Sequence, residues 1–406
     1  MNGKLIRFMD SYLGIPIILL ISIFLPCLRK KTSRPADVPP EKILLIKFWG
    51  IGNLFMLLPA IHALRATFPD SAVDFLTLAH NRDALTMTGV VDNVITINIS
   101  TLRIFLKTCL RVAAQLRHKH YDMIIDFEQF ARFSALLTHQ IGAAYSIGFE
   151  TRGQHRHRLY ADSVSYDNNI HMTRSFYALV ERSGVSHPFS PRIAFSNKEM
   201  LKTKGSGILN KHGILPSSQV AVIHIGSSDN FKERRWPPAH YAALADLLTD
   251  RFGMCIIMTE LRDEILLIAE AKLHMKYAGQ VIDLSGQLSF TDYYALITVA
   301  DLVISADTAT VHIASAVNTP VVGLYGPNTP KLYGPWGTGG LALYAGFDCS
   351  PCITNFNDKI STCRHPDGRG ACMNAISVEM VFKSIEDHYF LPEAPWLLNK
   401  LKGSTA

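Results

Sequence analysis

The stretch Lys42–Pro59, "KILLIKFWGIGNLFMLLP", decides the fold. Its first seven residues form a continuous apolar run, which is typical of a strand buried on both faces of a parallel sheet. Gly50 and Gly52 then allow a tight turn and a close approach of a ligand to the backbone. A helix is predicted from about Asn53 to Thr67, so the stretch reads as the strand, turn and helix that begin an α/β sheet.

The same pattern repeats along the chain in two arrays. This repetition predicts an α/β protein with two facing Rossmann-like domains, each built on a parallel sheet, at residues 41–195 and 205–380, with a tail at 381–406. Ligands of such sheets bind beyond the carboxyl ends of the strands. The further predicted strands are "AVDFLTL", "NVITINI", "YDMIIDF" and "AAYSIGF" in the first array, and "VAVIHIG", "MCIIMTE", "VIDLSG", "DLVISAD" and "PVVGLYG" in the second.

Length and composition agree with two globular domains. The chain has 406 residues, of which 48% are hydrophobic and 18% charged. This length exceeds the roughly 100–200 residues of one domain, and the hydrophobic fraction excludes a disordered chain. The net charge of +6 suits an anionic substrate or a membrane surface, and it is far below the charge expected of a nucleic-acid-binding protein.

A short hydrophobic segment opens the chain. The apolar run Tyr12–Leu28 is followed by Arg29, Lys30, Lys31 and Arg34. This basic flank predicts that residues 1–34 associate with a membrane, as one span or as a re-entrant or interfacial helix, and that the body lies on the cytoplasmic side. The alternative is a hydrophobic helix packed on the protein's own core.

Two motifs at the ends of second-array strands have the chemistry of an anion site. After "VAVIHIG", Ser227 and Ser228 offer amide and hydroxyl donors and Arg234 offers positive charge, which favours phosphate binding over a solvated basic loop. After "DLVISAD", small residues open a helix whose free amides face a pyrophosphate. Asp307 is then suited to accept hydrogen bonds from sugar hydroxyls, or it simply caps the helix. His312 alone would be interpreted as a histidine of the core.

A basic loop and a cysteine cluster have less specific patterns. The segment "ETRGQHRHRLYAD" is either a contact for an anionic acceptor or a solvated flexible loop. Cys349 and Cys352 have the spacing of a zinc knuckle, whereas Cys363 and Cys372 are spaced too widely for a second one. Reduced structural thiols are favoured over a structural zinc at these four cysteines, and no catalytic metal is expected there.

Taken together and in this order, the motifs resemble the glycosyltransferase family 9 pattern of heptosyltransferase-like enzymes that assemble bacterial surface polysaccharides. The resemblance rests on "ILLIKFWGIGNLFMLLPAIHALRATFP", "YDMIIDFEQFARFS", "KERRWPPAHYAALADLL" and "DLSGQLSFTDYYALITVADLVISADTATVHIASAVNTPVVGLYGP", and it covers residues 41 to 380. It implies a GT-B fold, an inverting sugar transfer without a catalytic metal, and a nucleotide-diphosphate sugar donor, often ADP-heptose.

The resemblance also implies roles for individual residues. Asp307 would hold donor sugar hydroxyls, and Arg234 stands where the family usually has a phosphate-binding lysine. Glu260 would contact the nucleotide ribose, with Glu264 as the competing assignment. The remaining donor-binding residues are Ser227 and Ser228 at the phosphates, and Thr308, Ala309, Thr310, Val311 and His312 at the start of the helix after Asp307.

One position departs from the family pattern. Asn53 stands where the family usually has an aspartate as general base, and an amide has no proton-accepting role at neutral pH. Asn53 would then only orient the acceptor, or the reaction would differ, or the protein would be weakly active or inactive. Glu128 is the hypothesised replacement base, with Asp126 in reserve as a residue that would otherwise cap a helix.

The expected function is therefore transfer of a sugar, plausibly heptose, from a nucleotide donor to a lipopolysaccharide-core or lipid-linked acceptor at the cytoplasmic face of the inner membrane. The alternative is an inactive relative that binds nucleotide-sugar or glycan as a scaffold. A two-domain nucleotide-sugar epimerase would not need the membrane-proximal segment. A dinucleotide-dependent dehydrogenase is disfavoured because neither glycine turn has the complete fingerprint.

Overall fold

The apolar run at Lys42 forms a strand, β1 (Lys42–Ile46), inside a six-stranded parallel sheet. The computed structural model of the chain describes residues 3–24, 38–193, 197–227, 229–260, 266–337, 339–354, 356 and 363–391. The chain divides into two units, Met1–Ser190 and Pro191–Ala406, and each unit contains one such sheet. The α/β fold with two parallel sheets is confirmed.

The first sheet has the strand order β3-β2-β1-β4-β5-β6 and the second has the order β12-β11-β10-β7-β8-β9. In each sheet the chain runs outward from its first strand, then returns to that strand's other side. The crevices where this reversal occurs lie between β1 and β4 and between β7 and β10. The strands are β1 (Lys42–Ile46), β2 (Ala72–Leu78), β3 (Asn93–Ile97), β4 (Tyr121–Asp126), β5 (Ala143–Glu150), β6 (Asp162–Ser165), β7 (Val220–His224), β8 (Cys255–Thr259), β9 (Ile282–Asp283), β10 (Leu302–Ala306), β11 (Val321–Tyr325) and β12 (Gly340–Tyr344).

Helices connect these strands and cover the sheets. They are α1 (Gly3–Phe24), α2 (Ile51–Met56), α3 (Leu58–Thr67), α4 (Arg82–Thr88), α5 (Leu102–Arg117), α6 (Arg132–Ile141), α7 (Met172–Arg182), α8 (Lys198–Lys211), α9 (Pro238–Phe252), α10 (Leu266–Lys272), α11 (Phe290–Val299), α12 (Ala309–Val317), α13 (Pro330–Tyr333), α14 (Ala371–Asn374) and α15 (Val378–Ile385). The predicted cap of α11 is present, since Ser289 and Asp292 form a reciprocal capping box.

Three local features differ from the sequence-based prediction. The helix expected from Asn53 to Thr67 is two helices, because Pro59 lacks the amide that would continue α2 and instead lies in the first turn of α3. Strands β6 and β12 were not predicted. Helix α8 begins at Lys198, before the predicted start of the second domain at residue 205.

Helix α1 packs against the first unit. The Asp10 carboxylate accepts hydrogen bonds from the amides of Arg132 (2.9 Å) and Phe133 (2.7 Å), which open α6. Ile18 is fully buried beside Ala135 of α6 and Tyr160. One face of α1 therefore packs on the protein's own core, as the alternative prediction for residues 1–34 proposed. Among the described residues, no helix has the length and apolar character needed to cross a membrane, and the basic flank of α1 lies outside them.

Candidate active site

The carboxyl edge of the second sheet brings several predicted donor-binding residues together. Ser227 and Arg234 come from the connection after β7, and Asp307 directly follows β10, which pairs with β7. Glu260 directly follows β8 on the other side of β7. These residues therefore collect at the crevice where ligands bind in open α/β sheets.

Arg234 and Asp307 are in direct contact. Arg234 Nη1 lies 3.2 Å from Asp307 Oδ2 and donates a hydrogen bond to the Asp307 main-chain carbonyl at 2.5 Å. Asn328, which the sequence analysis did not identify, donates its amide Nδ2 to the same carboxylate oxygen at 2.7 Å. The Asp307 carboxylate is 7% exposed and the Arg234 side chain 16%, so the pair is largely shielded from water. The Arg234 guanidinium and the oriented Asp307 carboxylate therefore lie next to each other.

The loop after β7 is tied to the same edge. Arg235 Nη2 donates a hydrogen bond to the carbonyl of Ser227 at 2.9 Å, and Ser227 is buried. This contact of Arg235 orders the serine-containing turn. Ser228 and Glu264 lie outside the described residues, so their predicted roles stay predictions.

Thr308 caps the helix that follows Asp307. Its hydroxyl accepts a hydrogen bond from the amide of Thr310 at 3.3 Å and contacts the hydroxyl of Ser305 at 2.8 Å. The Thr310 hydroxyl is in turn 2.7 Å from Tyr293 Oη of α11. Ala309, Thr310 and Val311 form the first turn of α12, where amides point toward the helix N-terminus and favour an anion. The helix begins where the sequence predicted.

Two histidines near this edge are buried. His312 lies in the second turn of α12 and is 3% exposed. His224 ends β7, and its Nδ1 lies 3.3 Å from Thr259 Oγ1. Burial lowers the pKa of His224 from 6.5 to about 4, so this ring is neutral at pH 7. The sequence analysis did not single out His224, whose only signal was a polar residue ending an apolar strand.

In the first unit, Glu128 lies at the equivalent crevice and organises the turn after β1. Its Oε1 accepts hydrogen bonds from the amides of Phe48 (2.6 Å) and Trp49 (2.9 Å). Its Oε2 is 2.8 Å from Nζ of Lys47, and both side chains are buried. These three donors leave about one of the roughly four acceptor positions of the carboxylate open, on Oε2. Lys47 was not identified from the sequence, although a lysine that ends an apolar strand was the available signal.

Asn53 belongs to the same turn. Its Nδ2 donates a hydrogen bond to the carbonyl of Trp49 at 3.2 Å, and the residue is half-buried at the start of α2. Gly50, between them, has a φ of +85°, a conformation that strongly favours glycine. The carboxylate of Glu128 and the amide of Asn53 are therefore linked through one turn.

Asp126, the reserve candidate base, is committed to a buried ion pair. Its carboxylate lies 2.9 Å from Arg156 Nη2 and accepts hydrogen bonds from Tyr160 Oη (2.6 Å) and the Glu128 amide (2.9 Å). Both charged side chains have no exposed surface. The expectation of a solvated or acceptor-facing basic loop is therefore wrong for Arg156, which instead fixes the start of the Glu128 segment.

Cys349, Cys352, Cys363 and Cys372 line one cavity of about 240 Å³ in the second unit. Phe347 and His365 also line it. Among the residues that the structure describes, no group of three potential ligands is arranged to hold a metal ion. Burial raises the pKa of the Cys372 thiol to about 11, which favours the protonated form.

Two six-stranded parallel sheets, one with an arginine, a helix N-terminus and an oriented carboxylate at its crevice, define an α/β protein with the elements of an anion site. Residues 109–359 match the family model "Glycosyltransferase family 9 (heptosyltransferase)". The chain belongs to this glycosyltransferase family, and the resemblance found in its motifs is confirmed.

Characterised relatives and solved structures are similar over most of the chain. Lipopolysaccharide heptosyltransferase 2 of Escherichia coli K12 is 24% identical over 305 residues, which cover 72% of this chain and 85% of that protein. The crystal structure of a family 9 glycosyltransferase from Veillonella parvula has a TM-score of 0.73 at 20% identity, covering 87% of this chain and 98% of that one. E. coli ADP-heptose LPS heptosyltransferase II has a TM-score of 0.68 at 20% identity, covering 88% and 99%. The structural likeness shows that the fold is that of GT-B heptosyltransferases.

Proposed function

We propose that this protein is an inverting glycosyltransferase that moves a heptose from ADP-heptose to a lipopolysaccharide-core or lipid-linked acceptor. The observation that carries the proposal is the Arg234–Asp307 pair at the start of α12. Relatives named as lipopolysaccharide and ADP-heptose heptosyltransferases support the choice of sugar, nucleotide and acceptor class.

On the donor side, Arg234 and the first-turn amides of α12 bind the diphosphate. Charge-assisted hydrogen bonds from a guanidinium are among the strongest contacts available to phosphate. Asp307, oriented by Asn328, accepts hydrogen bonds from sugar hydroxyls, and Glu260 does so from the ribose. The charge that develops on the leaving diphosphate is balanced by Arg234 and α12, so the proposal gives no role to a metal ion.

The transfer itself is a single displacement. The acceptor hydroxyl oxygen forms a bond to the anomeric carbon while the bond from that carbon to the diphosphate breaks. ADP leaves with the electron pair, and a base takes the hydroxyl proton. Glu128 is the proposed base, and its Oε2, which also contacts Lys47, takes the proton. Asn53 orients the acceptor in this scheme.

We also propose that the protein works at the cytoplasmic face of the inner membrane. The basic residues that follow the N-terminal apolar run support this orientation, because positively charged flanks stay on the cytoplasmic side. A lipid-linked acceptor is presented at the same surface, so membrane association and substrate agree.

A second candidate is a non-catalytic glycan-binding or nucleotide-sugar-binding scaffold. Two observations favour it: Asn53 offers an amide where a carboxylate would act as base, and both oxygens of Glu128 are already engaged. A scaffold would keep the donor site of the second unit and lack turnover.

Incubation with ADP-heptose separates the candidates. The donor is expected to raise the melting temperature, because a ligand that binds the folded state stabilises it. In the presence of heptose-deficient lipopolysaccharide core, radiolabelled heptose is expected in the acceptor and ADP in solution. Binding without ADP release would identify a scaffold that binds nucleotide-sugar, and an unchanged melting temperature would reject both that scaffold and the enzyme.

A further inference from the structure

Helix α5 (Leu102–Arg117) has an unusual outer surface. Its inner side, with Phe105, Val112 and Leu116, is buried in the core of the first sheet. Its outer side exposes two leucines one turn apart, Leu106 (48% exposed) and Leu110 (61% exposed). Ile104 is also 40% exposed, but it lies two residues before Leu106 and therefore on another side of the helix. Neighbouring exposed leucines rimmed by polar side chains are a feature of interaction sites.

Basic side chains alternate with these apolar ones. Arg103, Lys107 and Arg111 are exposed, and Arg117 extends the same charge to the end of the helix. The sequence of α5 contains no aspartate or glutamate. None of Arg103, Lys107 and Arg111 forms an ion pair within the described part of the chain, so their charge is available to an anionic partner.

The position of α5 links it to the N-terminal segment. Phe133 of α6 packs edge-on against Phe105 of α5, with ring centroids 5.6 Å apart. The amide of the same Phe133 is held by Asp10 of α1. Helix α1 exposes Ile17 (40%) and Leu20 (54%). Helices α1 and α5 both pack on α6, and both present apolar side chains to the outside.

We propose that the outer surface of α5 binds an anionic lipid bilayer, with Leu106 and Leu110 entering the acyl boundary and the basic residues contacting lipid phosphates. A helix that combines exposed leucines with an excess of arginine and lysine has the composition of an interfacial membrane helix. Charge complementarity favours anionic lipid, because each basic residue near such a surface adds about 1 kcal/mol of attraction.

This inference deepens the proposed function, since the surface would bring the enzyme to its lipid-linked acceptor. Its test needs neither donor nor acceptor. Full-length protein is mixed with vesicles of phosphatidylcholine alone or of equal parts phosphatidylcholine and phosphatidylglycerol, and the bound fraction is measured by sedimentation. We expect binding to the anionic vesicles that weakens with added salt, because salt screens surface charge.

Two double variants of α5 test the electrostatic and the apolar contributions to vesicle binding separately. Lys107→Glu/Arg111→Glu is expected to weaken vesicle binding at least about tenfold, from the loss of two basic contacts. Leu106→Ser/Leu110→Ser is expected to weaken it by a similar factor through lost apolar burial. The matched control is Met200→Ser/Lys211→Glu on α8, where both residues are also exposed, and it is expected to bind like the wild type.

Several outcomes would overturn the proposal. Equal binding to neutral and anionic vesicles would do so, as would wild-type binding by both α5 variants. Loss of binding only in Ile17→Ser/Leu20→Ser would assign the membrane contact to α1 instead. Absence of vesicle binding together with retention of an acidic protein would identify a protein partner. Vesicle binding without ADP release would support the membrane-binding role of α5. It would reject only the proposal that the protein is a glycosyltransferase.

Discussion

Arg234 Nη1 lies 3.2 Å from Asp307 Oδ2, so the cation proposed for the diphosphate also orients the carboxylate proposed for the sugar. The two residues are 73 positions apart in the sequence and meet because β7 and β10 are neighbours. Losing either side chain would disturb the other, and the donor site should therefore behave as a coupled unit.

Arg234→Met is expected to raise the Kd for ADP-heptose about tenfold or more, because a hydrogen bond to a charged group contributes roughly 1.5–3 kcal/mol. Titration calorimetry measures this directly. Arg251→Met, at an exposed arginine of α9, serves as the control and should bind like the wild type. An unchanged Kd for Arg234→Met would remove Arg234 from the donor site.

Asn53→Asp is expected to change kcat by less than about tenfold, because Glu128 is the proposed base, whereas a rise of about 100-fold or more would show that the base is missing at position 53. The new carboxylate would lose the hydrogen bond from Nδ2 to Trp49, so a small decrease in melting temperature is expected as well. Steady-state kinetics at neutral pH measures the change, with Asn53→Ala as the variant that only removes the side chain. Equal rates for the aspartate and alanine variants would show that a base at this position is not what limits turnover.

Glu128→Gln is expected to lower kcat at least about 100-fold and to abolish the rising limb of the pH–rate profile, because glutamine accepts no proton. Donor affinity should stay nearly unchanged, since the donor residues belong to the second unit. Lys47→Met removes the ion pair while keeping the carboxylate, so it should retain a pH-dependent rate. Wild-type turnover in Glu128→Gln would end the hypothesis that Glu128 is the base.

Arg156→Met is expected to destabilise the protein by about 3–5 kcal/mol, because it leaves the buried Asp126 carboxylate without its cation. Urea unfolding, followed by circular dichroism, measures the change. Arg158→Met, two residues away at an exposed position, should stay within about 0.5 kcal/mol of the wild type. Similar midpoints for the two variants would contradict the buried ion pair.

The buried His224 predicts a loss of stability in mild acid. Its pKa falls from 6.5 to about 4 in the folded protein, so the unfolded chain takes up the proton first as the pH decreases. Stability is therefore complete above pH 6.5 and is lost progressively down to pH 4, with about 2 kcal/mol lost between pH 7 and pH 5. Urea midpoints at the two pH values should differ less in His224→Gln than in the wild type. His118→Gln, at an exposed histidine, should keep the wild-type difference.

The sequence predicts all eight interior strands of the two sheets that the structure describes but only two of the four edge strands, β3 and β9. Strands such as β1 and β10 are continuous apolar runs, because both of their faces are covered. Strand β6, "DSVS", lies at a sheet edge and is polar and half-buried, so its pattern resembles a loop.

The donor edge follows from local motifs, whereas the contacts around Glu128 do not. Asp307 and Thr308 are recognisable because a strand end and a helix cap are adjacent in the sequence. The partners of Glu128 and Asp126 come from 81 and 30 positions away, respectively. Such pairings depend on strand order, and no single segment encodes them.

The contact between Asp10 and the first amides of α6 bears on how this enzyme is prepared. Hydrophobic leaders are commonly trimmed to make recombinant membrane-associated proteins easier to purify. Here trimming would uncap a helix that borders the Glu128 segment and would uncover the apolar surface that receives Ile18. Recombinant protein that keeps residues 3–24 preserves both contacts and is the safer preparation.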